Sequence, residues 1–263
     1  MSAWILLRGL TREMRHWGAL PTLLQGALGG APILPIDLPG NGEFAPLRSY
    51  ANVPDMVGFV RKIALDSGVP GPYRVLAMSL GGMVAADWAQ RHPHEIERLV
   101  LINTSLRPFS RMHERLRPRA WPTLLRVARK WGDAPAAEAA IHALTCNARQ
   151  AQAADVAAWA EIRRSAPVGR ANALCQLAAA AGYRAASAAP QSAVLVLSSR
   201  GDGLVNPVCS SSLAAAWGAP HRQHEWAGHD LPHDDPAWTV EQVLEWTLSL
   251  DTQTEPAIGR APN

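Results

Sequence analysis

Ser79, Asp202 and His229 follow one another in the order that serine-based acyl transfer on an open sheet requires. A serine hydroxyl attacks a carbonyl only when a base takes its proton, and an imidazole serves as that base when a carboxylate fixes its tautomer. Ser79 lies in Ala77-Met78-Ser79-Leu80-Gly81-Gly82, where an apolar run gives way to a helical pattern. That is the context of a nucleophile elbow, a turn so tight that the residues two before and two after the serine must be small, as Ala77 and Gly81 are. The string alone is weak evidence, because a Ser-x-Gly triplet is expected roughly once in a chain of this length. A second one, Ser199-Arg200-Gly201, has the bulky Leu197 two residues before its serine. Without partners, Ser79 reads as a helix N-cap.

Position narrows the partners. Asp202 stands in Arg200-Gly201-Asp202-Gly203-Leu204-Val205, just past the apolar run ending at Leu197, so it is expected at the sheet edge that carries Ser79. Its flanking glycines also fit a plain turn aspartate. Asp133 and Asp155 fall in a helical region, and Asp133 reads as an N-cap. Of nine histidines, only His221, His224, His229 and His233 follow Asp202. His224 falls inside a strand pattern. His233 precedes Asp234-Asp235-Pro236, where Asp235 resembles an N-cap and Pro236 a first helical residue. His229, in the loop Ala227-Gly228-His229-Asp230-Leu231-Pro232, is the preferred base and His233 the alternative. Asp230, Asp234 and Asp235 fail the order test and are expected to be cap and surface acids. Two backbone amides must also face a developing oxyanion. The expected donors are Leu80, directly after the serine, and Leu10 in Arg8-Gly9-Leu10, where Gly9 permits close approach.

The elements that must hold these residues follow from alternation of apolar runs with helical periods. Trp4-Ile5-Leu6-Leu7, Ile33-Leu34-Pro35-Ile36, Arg74-Val75-Leu76-Ala77 and Leu99-Val100-Leu101-Ile102 each end in turn chemistry and read as buried strands, although Pro32 and Pro35 count against the second. Val53, Met56, Val57, Val60 and Ile63 keep a helical period, and Met83 to Arg91 form another helix. Strands alternating with helices imply a mostly parallel α/β sheet. From 108 to about 189 the strand signal gives way to four Ala-rich helical segments near 122–131, 134–146, 151–164 and 170–181, an inserted helical subdomain. Strand character returns at Ala193-Val194-Leu195-Val196-Leu197 and near His224-Glu225-Trp226, followed by a helix from Trp238 to Leu250. The domains expected are thus a core of 1–107 and 190–250, a lid-like insertion of 108–189, and a flexible tail of 251–263.

Composition excludes several classes. At 263 residues, 48% hydrophobic and 18% charged, the chain can bury a sizeable core and is not disordered by composition. No apolar stretch approaches the roughly 18 residues of a membrane span. The first residues lack the basic and apolar segments of a signal peptide, so a cytoplasmic location is expected. Net charge of +3 argues against nucleic acid as a partner. The charge is uneven: seven arginines and one lysine lie between Arg107 and Lys130 against the single acid Glu114. Cys146, Cys175 and Cys209 show no disulfide framework and no Cys/His metal spacing, and are expected to be small buried residues.

Taken together, these residues resemble the α/β-hydrolase superfamily, and within it the small, lid-bearing serine esterases and thioesterases, including carrier-protein methyl esterases. The resemblance is carried by Arg8-Gly9 with Trp17 downstream, Asp37-Leu38-Pro39-Gly40-Asn41-Gly42, Met78-Ser79-Leu80-Gly81-Gly82-Met83-Val84-Ala85, Asp202-Gly203-Leu204-Val205 and Gly228-His229. It implies a doubly wound sheet, an insertion acting as a lid, and neither metal nor organic cofactor. Arg8 stands where the family usually has histidine, and Ala77 where it usually has glycine; neither change removes a reacting group. The chain begins almost on the strand leading to Arg8-Gly9, so a sheet without the amino-terminal hairpin of relatives, of about six strands, is expected. A serine nucleophile excludes the dehalogenase and epoxide hydrolase branches, which use aspartate.

The activity expected is hydrolysis of a carboxylic ester or thioester through an acyl-enzyme on Ser79, with His229 as base and Asp202 orienting it. Transfer of the acyl group to an alcohol or amine uses the same residues, and a non-catalytic ligand receptor on this fold is the reading from another class. The arginine-rich stretch is either a solvated helix face or a dock for CoA phosphates or an acidic carrier protein. Trp121, Trp131 and Trp159 of the insertion either complete a core or line an apolar pocket.

Overall fold

The computed structural model describes residues 2–254. Six strands, β1 (Trp4–Leu7), β2 (Ile33–Ile36), β3 (Tyr73–Met78), β4 (Ile96–Ile102), β5 (Ala193–Ser199) and β6 (His221–His224), form one sheet in the order β2-β1-β3-β4-β5-β6, each pair parallel. The central strands are almost wholly apolar because both faces are covered, as parallel sheets require. Their side chains alternate between two cores. On one face Ile5, Val75, Leu99 and Val196 pack with helices α2 (Val53–Asp66), α3 (Leu80–Arg91) and α9 (Val208–Trp217). On the other, Trp4, Leu76, Val100 and Leu195 meet α1 (Leu20–Ala27) and α11 (Pro236–Thr254). This is the doubly wound α/β sheet expected, with six strands.

The two edge strands show why the apolar-run reading was weaker there. Pro35 sits opposite Leu6 in β2, which pairs on one side only and therefore tolerates a residue without an amide proton. Strand β6 is His221-Arg222-Gln223-His224, earlier and more polar than the stretch expected around 224–226, because an edge strand needs few apolar residues. Helices α1 and α9 were not expected. The first is only eight residues long, and the second carries three consecutive serines before its apolar end at Gly218, whose φ of 62° closes the helix.

Between β4 and β5 the chain leaves the sheet and forms α4 (Met112–Arg115), α5 (Trp121–Arg129), α6 (Ala134–Thr145), α7 (Gln152–Ser165) and α8 (Arg170–Gly182). Asp133 caps α6, accepting the Ala136 amide at 3.1 Å. A last single turn, α10 (Leu231–Asp234), precedes α11, which continues through 251–254 where a flexible tail was expected; 255–263 lie outside the described residues. No helix among the described residues is long and apolar enough to cross a membrane.

Candidate active site

Strands β3, β4, β5 and β6 are neighbours, so the loops at their C-terminal ends meet at one edge of the sheet. Ser79 follows β3 directly, with a φ of 55°. Its backbone is clamped from β4: its amide donates to the Ile102 carbonyl at 3.0 Å and its carbonyl accepts from Thr104 Oγ1 at 2.8 Å. A side chain at Gly81 would put a Cβ 2.4 Å from the Leu7 carbonyl oxygen, which is why only glycine fits two residues past the serine. Gly9 approaches from the end of β1; a Cβ there would lie 3.1 Å from Ser79 Cβ and 3.5 Å from its Oγ. The Arg12 amide donates to the Gly9 carbonyl at 3.2 Å and Thr11 has a φ of 57°, so Gly9–Arg12 forms a tight turn.

Asp202 and His229 come together from the loops after β5 and β6. Asp202 Oδ2 lies 2.7 Å from His229 Nδ1, and both side chains are buried. Asp202 Oδ1 accepts the amides of Leu204 and Val205 at 2.7 and 2.9 Å, which fixes the carboxylate plane. With Nδ1–H donated to a carboxylate, Nε2 is the nitrogen left to take a proton. The carbonyl of Asp202 is held in turn by Arg117 Nη1 at 2.7 Å and Arg119 Nη2 at 3.2 Å. His233, the alternative base, instead places Nε2 3.2 Å from Asp155.

Two acids expected at the surface are buried. Asp230 receives both terminal nitrogens of Arg8, at 3.0 and 2.6 Å. Burial pushes the Asp230 carboxyl up, but the Arg8 charge and its two hydrogen bonds outweigh that and hold it below the usual carboxylate range. Asp234 accepts the amides of Asn147, Ala148 and Gly228, tying the insertion to the loop of His229. Their burial follows from the insertion, which covers this loop: the Asp230 amide donates to Thr145. Asp235 does cap α11, through the Trp238 amide at 2.9 Å.

Asn103 and Gln176 were not among the residues singled out from the sequence. Asn103, with a φ of 45° at the end of β4, donates Nδ2 to the His229 carbonyl at 2.8 Å and to Ser199 Oγ at 3.0 Å, while its Oδ1 accepts the Ser199 amide. A polar residue ending a buried central strand was the available signal. Gln176 of α8 is wholly buried; it accepts the Thr11 amide at 2.8 Å and donates to Asn41 and Ser49. Asn41 and Asp37 of the Asp-Leu-Pro-Gly-Asn-Gly stretch brace the same turn, through the Arg12 carbonyl and the Met14 amide. Burial raises the Asp37 carboxyl to about 6 despite that amide.

The cations between Arg107 and Lys130 divide into two groups. Arg107 and the buried Arg115 donate to backbone carbonyls of α8, and Arg117 and Arg119 hold Asp202, while Arg111, Arg126, Arg129 and Lys130 are exposed. Trp159 is buried, but among His16, His142, His233 and the Arg12 guanidinium, not in an apolar pocket; Trp121 is exposed. Cys146 and Cys209 are buried as expected and Cys175 is half-buried. The absence of a metal spacing does not carry into three dimensions: His142, Cys146 and His233 bring one donor atom each within 4.8 Å of one another.

Comparison with known proteins agrees with this architecture. The chain is 33% identical over 105 residues to the biotin biosynthesis bifunctional protein BioHC of Teredinibacter turnerae, covering 40% of this chain and 17% of that protein. It is 38% identical over 101 residues to the pimeloyl-[acyl-carrier protein] methyl ester esterase of Aromatoleum aromaticum, covering 38% of this chain and 36% of the relative. The chain thus spans little more than a third of these curated relatives at most. The esterase EaEST of Exiguobacterium antarcticum superposes with a TM-score of 0.75 over 94% of this chain and 92% of its own, at 12% identity, a likeness of fold. The profile of the alpha/beta hydrolase family matches residues 4–242, which takes in β1 and its turn, the elbow serine, and the Asp202–His229 pair. By that span and by its sheet, this chain belongs to the alpha/beta hydrolase family.

Proposed function

We propose that the chain is a serine hydrolase that cleaves carboxylic esters. Ser79 Oγ attacks the ester carbonyl as His229 Nε2 takes its proton; the tetrahedral oxyanion is held by the amides of Leu80 and Leu10; the protonated imidazole then gives its proton to the departing alkoxide. Water, deprotonated by His229, attacks the acyl-Ser79 carbonyl and releases the acid and the free serine. Asp202 keeps the imidazole in the Nδ1–H tautomer throughout. The observation that carries this reading is the buried 2.7 Å contact between Asp202 and His229 on loops adjoining the strained Ser79 turn. Helices α4–α8 act as the lid that selects the substrate. Similarity to a carrier-protein methyl ester esterase makes methyl esters of carrier-bound acyl chains the first substrates to assay, with CoA thioesters and simple methyl esters beside them.

Covalent labelling by a fluorophosphonate tests the assignment. Label is expected on the parent protein and on His233→Ala, and is expected to be lost in Ser79→Ala and His229→Ala. A label that survives Ser79→Ala, or a folded parent that takes none, overturns it. Hydrolysis of the three substrate classes across a salt series then tests docking by Arg111, Arg126, Arg129 and Lys130. A salt-sensitive preference for the carrier-bound ester is expected if they dock an acidic partner, and equal, salt-independent rates remove that idea.

A further inference from the structure

His142 lies in α6, Cys146 directly follows that helix, and His233 lies in α10, four residues beyond His229. The three offer donor atoms within 4.8 Å of one another, and His142 and Cys146 have no exposed surface. Asp155 of α7 stands behind both imidazoles: its Oδ2 is 3.4 Å from His142 Nε2 and 3.2 Å from His233 Nε2. The other nitrogen of His142, Nδ1, is buried without a hydrogen-bond partner among the described residues. A buried polar atom left without a partner is costly, and a bound cation would satisfy it. A ring nitrogen beside a carboxylate is the usual arrangement of a metal-ligating histidine, and His142 has it while its Nδ1 is left unpartnered. Trp159 packs against both rings, with centroids 5.3 and 4.8 Å away, and limits their rotation.

We propose that His142, Cys146 and His233 form a zinc-class cation site that clamps the helical insertion to the segment carrying His229, with Asp155 orienting the two imidazoles. Two nitrogens and one sulfur suit a borderline cation and not magnesium or calcium, which take oxygen. Bond lengths of about 2.0–2.3 Å place tetrahedral ligands roughly 3.3–3.8 Å apart, so the three donors close by about 1 Å when the cation enters, with water in the fourth position. Cysteine binds a metal as thiolate, so the cation displaces the proton of the Cys146 thiol and affinity rises with pH. The site has no part in the proposed ester chemistry and stands or falls separately from it.

Cobalt(II) added to full-length protein freed of metal by a chelator reads the site directly. One cobalt per chain is expected, with the visible absorption of a tetrahedral ion and a near-ultraviolet thiolate-to-cobalt band, both removed by one equivalent of zinc. Cys146→Ser is expected to lose the thiolate band, and Asp155→Asn to keep it while binding zinc about 10–100-fold more weakly. Ser79→Ala is expected to bind as the parent does. A parent that takes up no cobalt at micromolar metal, or a thiolate band that persists in Cys146→Ser, overturns the proposal; the first result depends on no variant.

Discussion

Arg8 shows how a single departure from a family pattern is absorbed. Its guanidinium stacks 4.7 Å from the Trp17 ring and is committed to Asp230, with both side chains 3% exposed. Removing one member of such a pair strands the other as a buried charge, a loss of about 3–5 kcal/mol, whereas replacing both by apolar groups is often neutral. Arg8→Met is therefore expected to lower the urea midpoint strongly, and Arg8→Met with Asp230→Leu to recover most of it; a double variant as unstable as the two singles added would contradict this account. The sequence marked Arg8 as unusual but gave no hint of Asp230, because the two are 222 residues apart and only the fold joins them. The turns that carry Ser79 and Asp202 were readable for the opposite reason: tight turns after strands leave local marks, such as Gly81 and the glycines around Asp202.

At the scale of elements, the site is held by contacts between strand ends. Asn103 links β4 to the Ser199 amide of β5 and to the His229 carbonyl beyond β6. Asn103→Ala removes these bonds without touching a reacting atom, so kcat on an active ester is expected to fall by about tenfold or more with KM little changed; unaltered kcat would relieve Asn103 of any positioning role. The central strands were legible as apolar runs and the helices of the insertion as Ala-rich segments. Strand β6 and helix α9 were not, since an edge strand and a serine-rich helix carry little apolar periodicity. Where α6 and α8 dock was equally hidden, because Ala-rich helices present few side chains that name a partner.

The whole molecule answers to pH through groups far from any expected charge cluster. His16 is held well below its ordinary value by burial and by the charges of Arg12 and Arg8, and His142 is lowered chiefly by burial. Both bind a proton less readily in the folded chain than when unfolded, so their contribution is full above pH 6.5 and is lost as pH falls below it. Asp37 has the reverse sign: raised from 3.8 to about 6, it favours folding fully below 3.8 and loses that contribution as pH rises through 6. Its protonation thus offsets part of the acid loss, by up to roughly 3 kcal/mol. Asp37→Asn is expected to lose stability more steeply than the parent between pH 6.5 and 4 in urea titrations, and parallel curves would show that Asp37 titrates normally. The insertion, finally, cannot be treated as an interchangeable part. Glu138 of α6 pairs with Arg12, Gln176 of α8 holds the Thr11 amide, and Thr145 receives the Asp230 amide, so 108–189 supplies bonds on which the turn beside Ser79 and the loop of His229 both depend. A chimera that grafts another hydrolase's insertion onto this sheet inherits those unmet bonds, and will fold only if the graft brings equivalents of Glu138 and Gln176 with it.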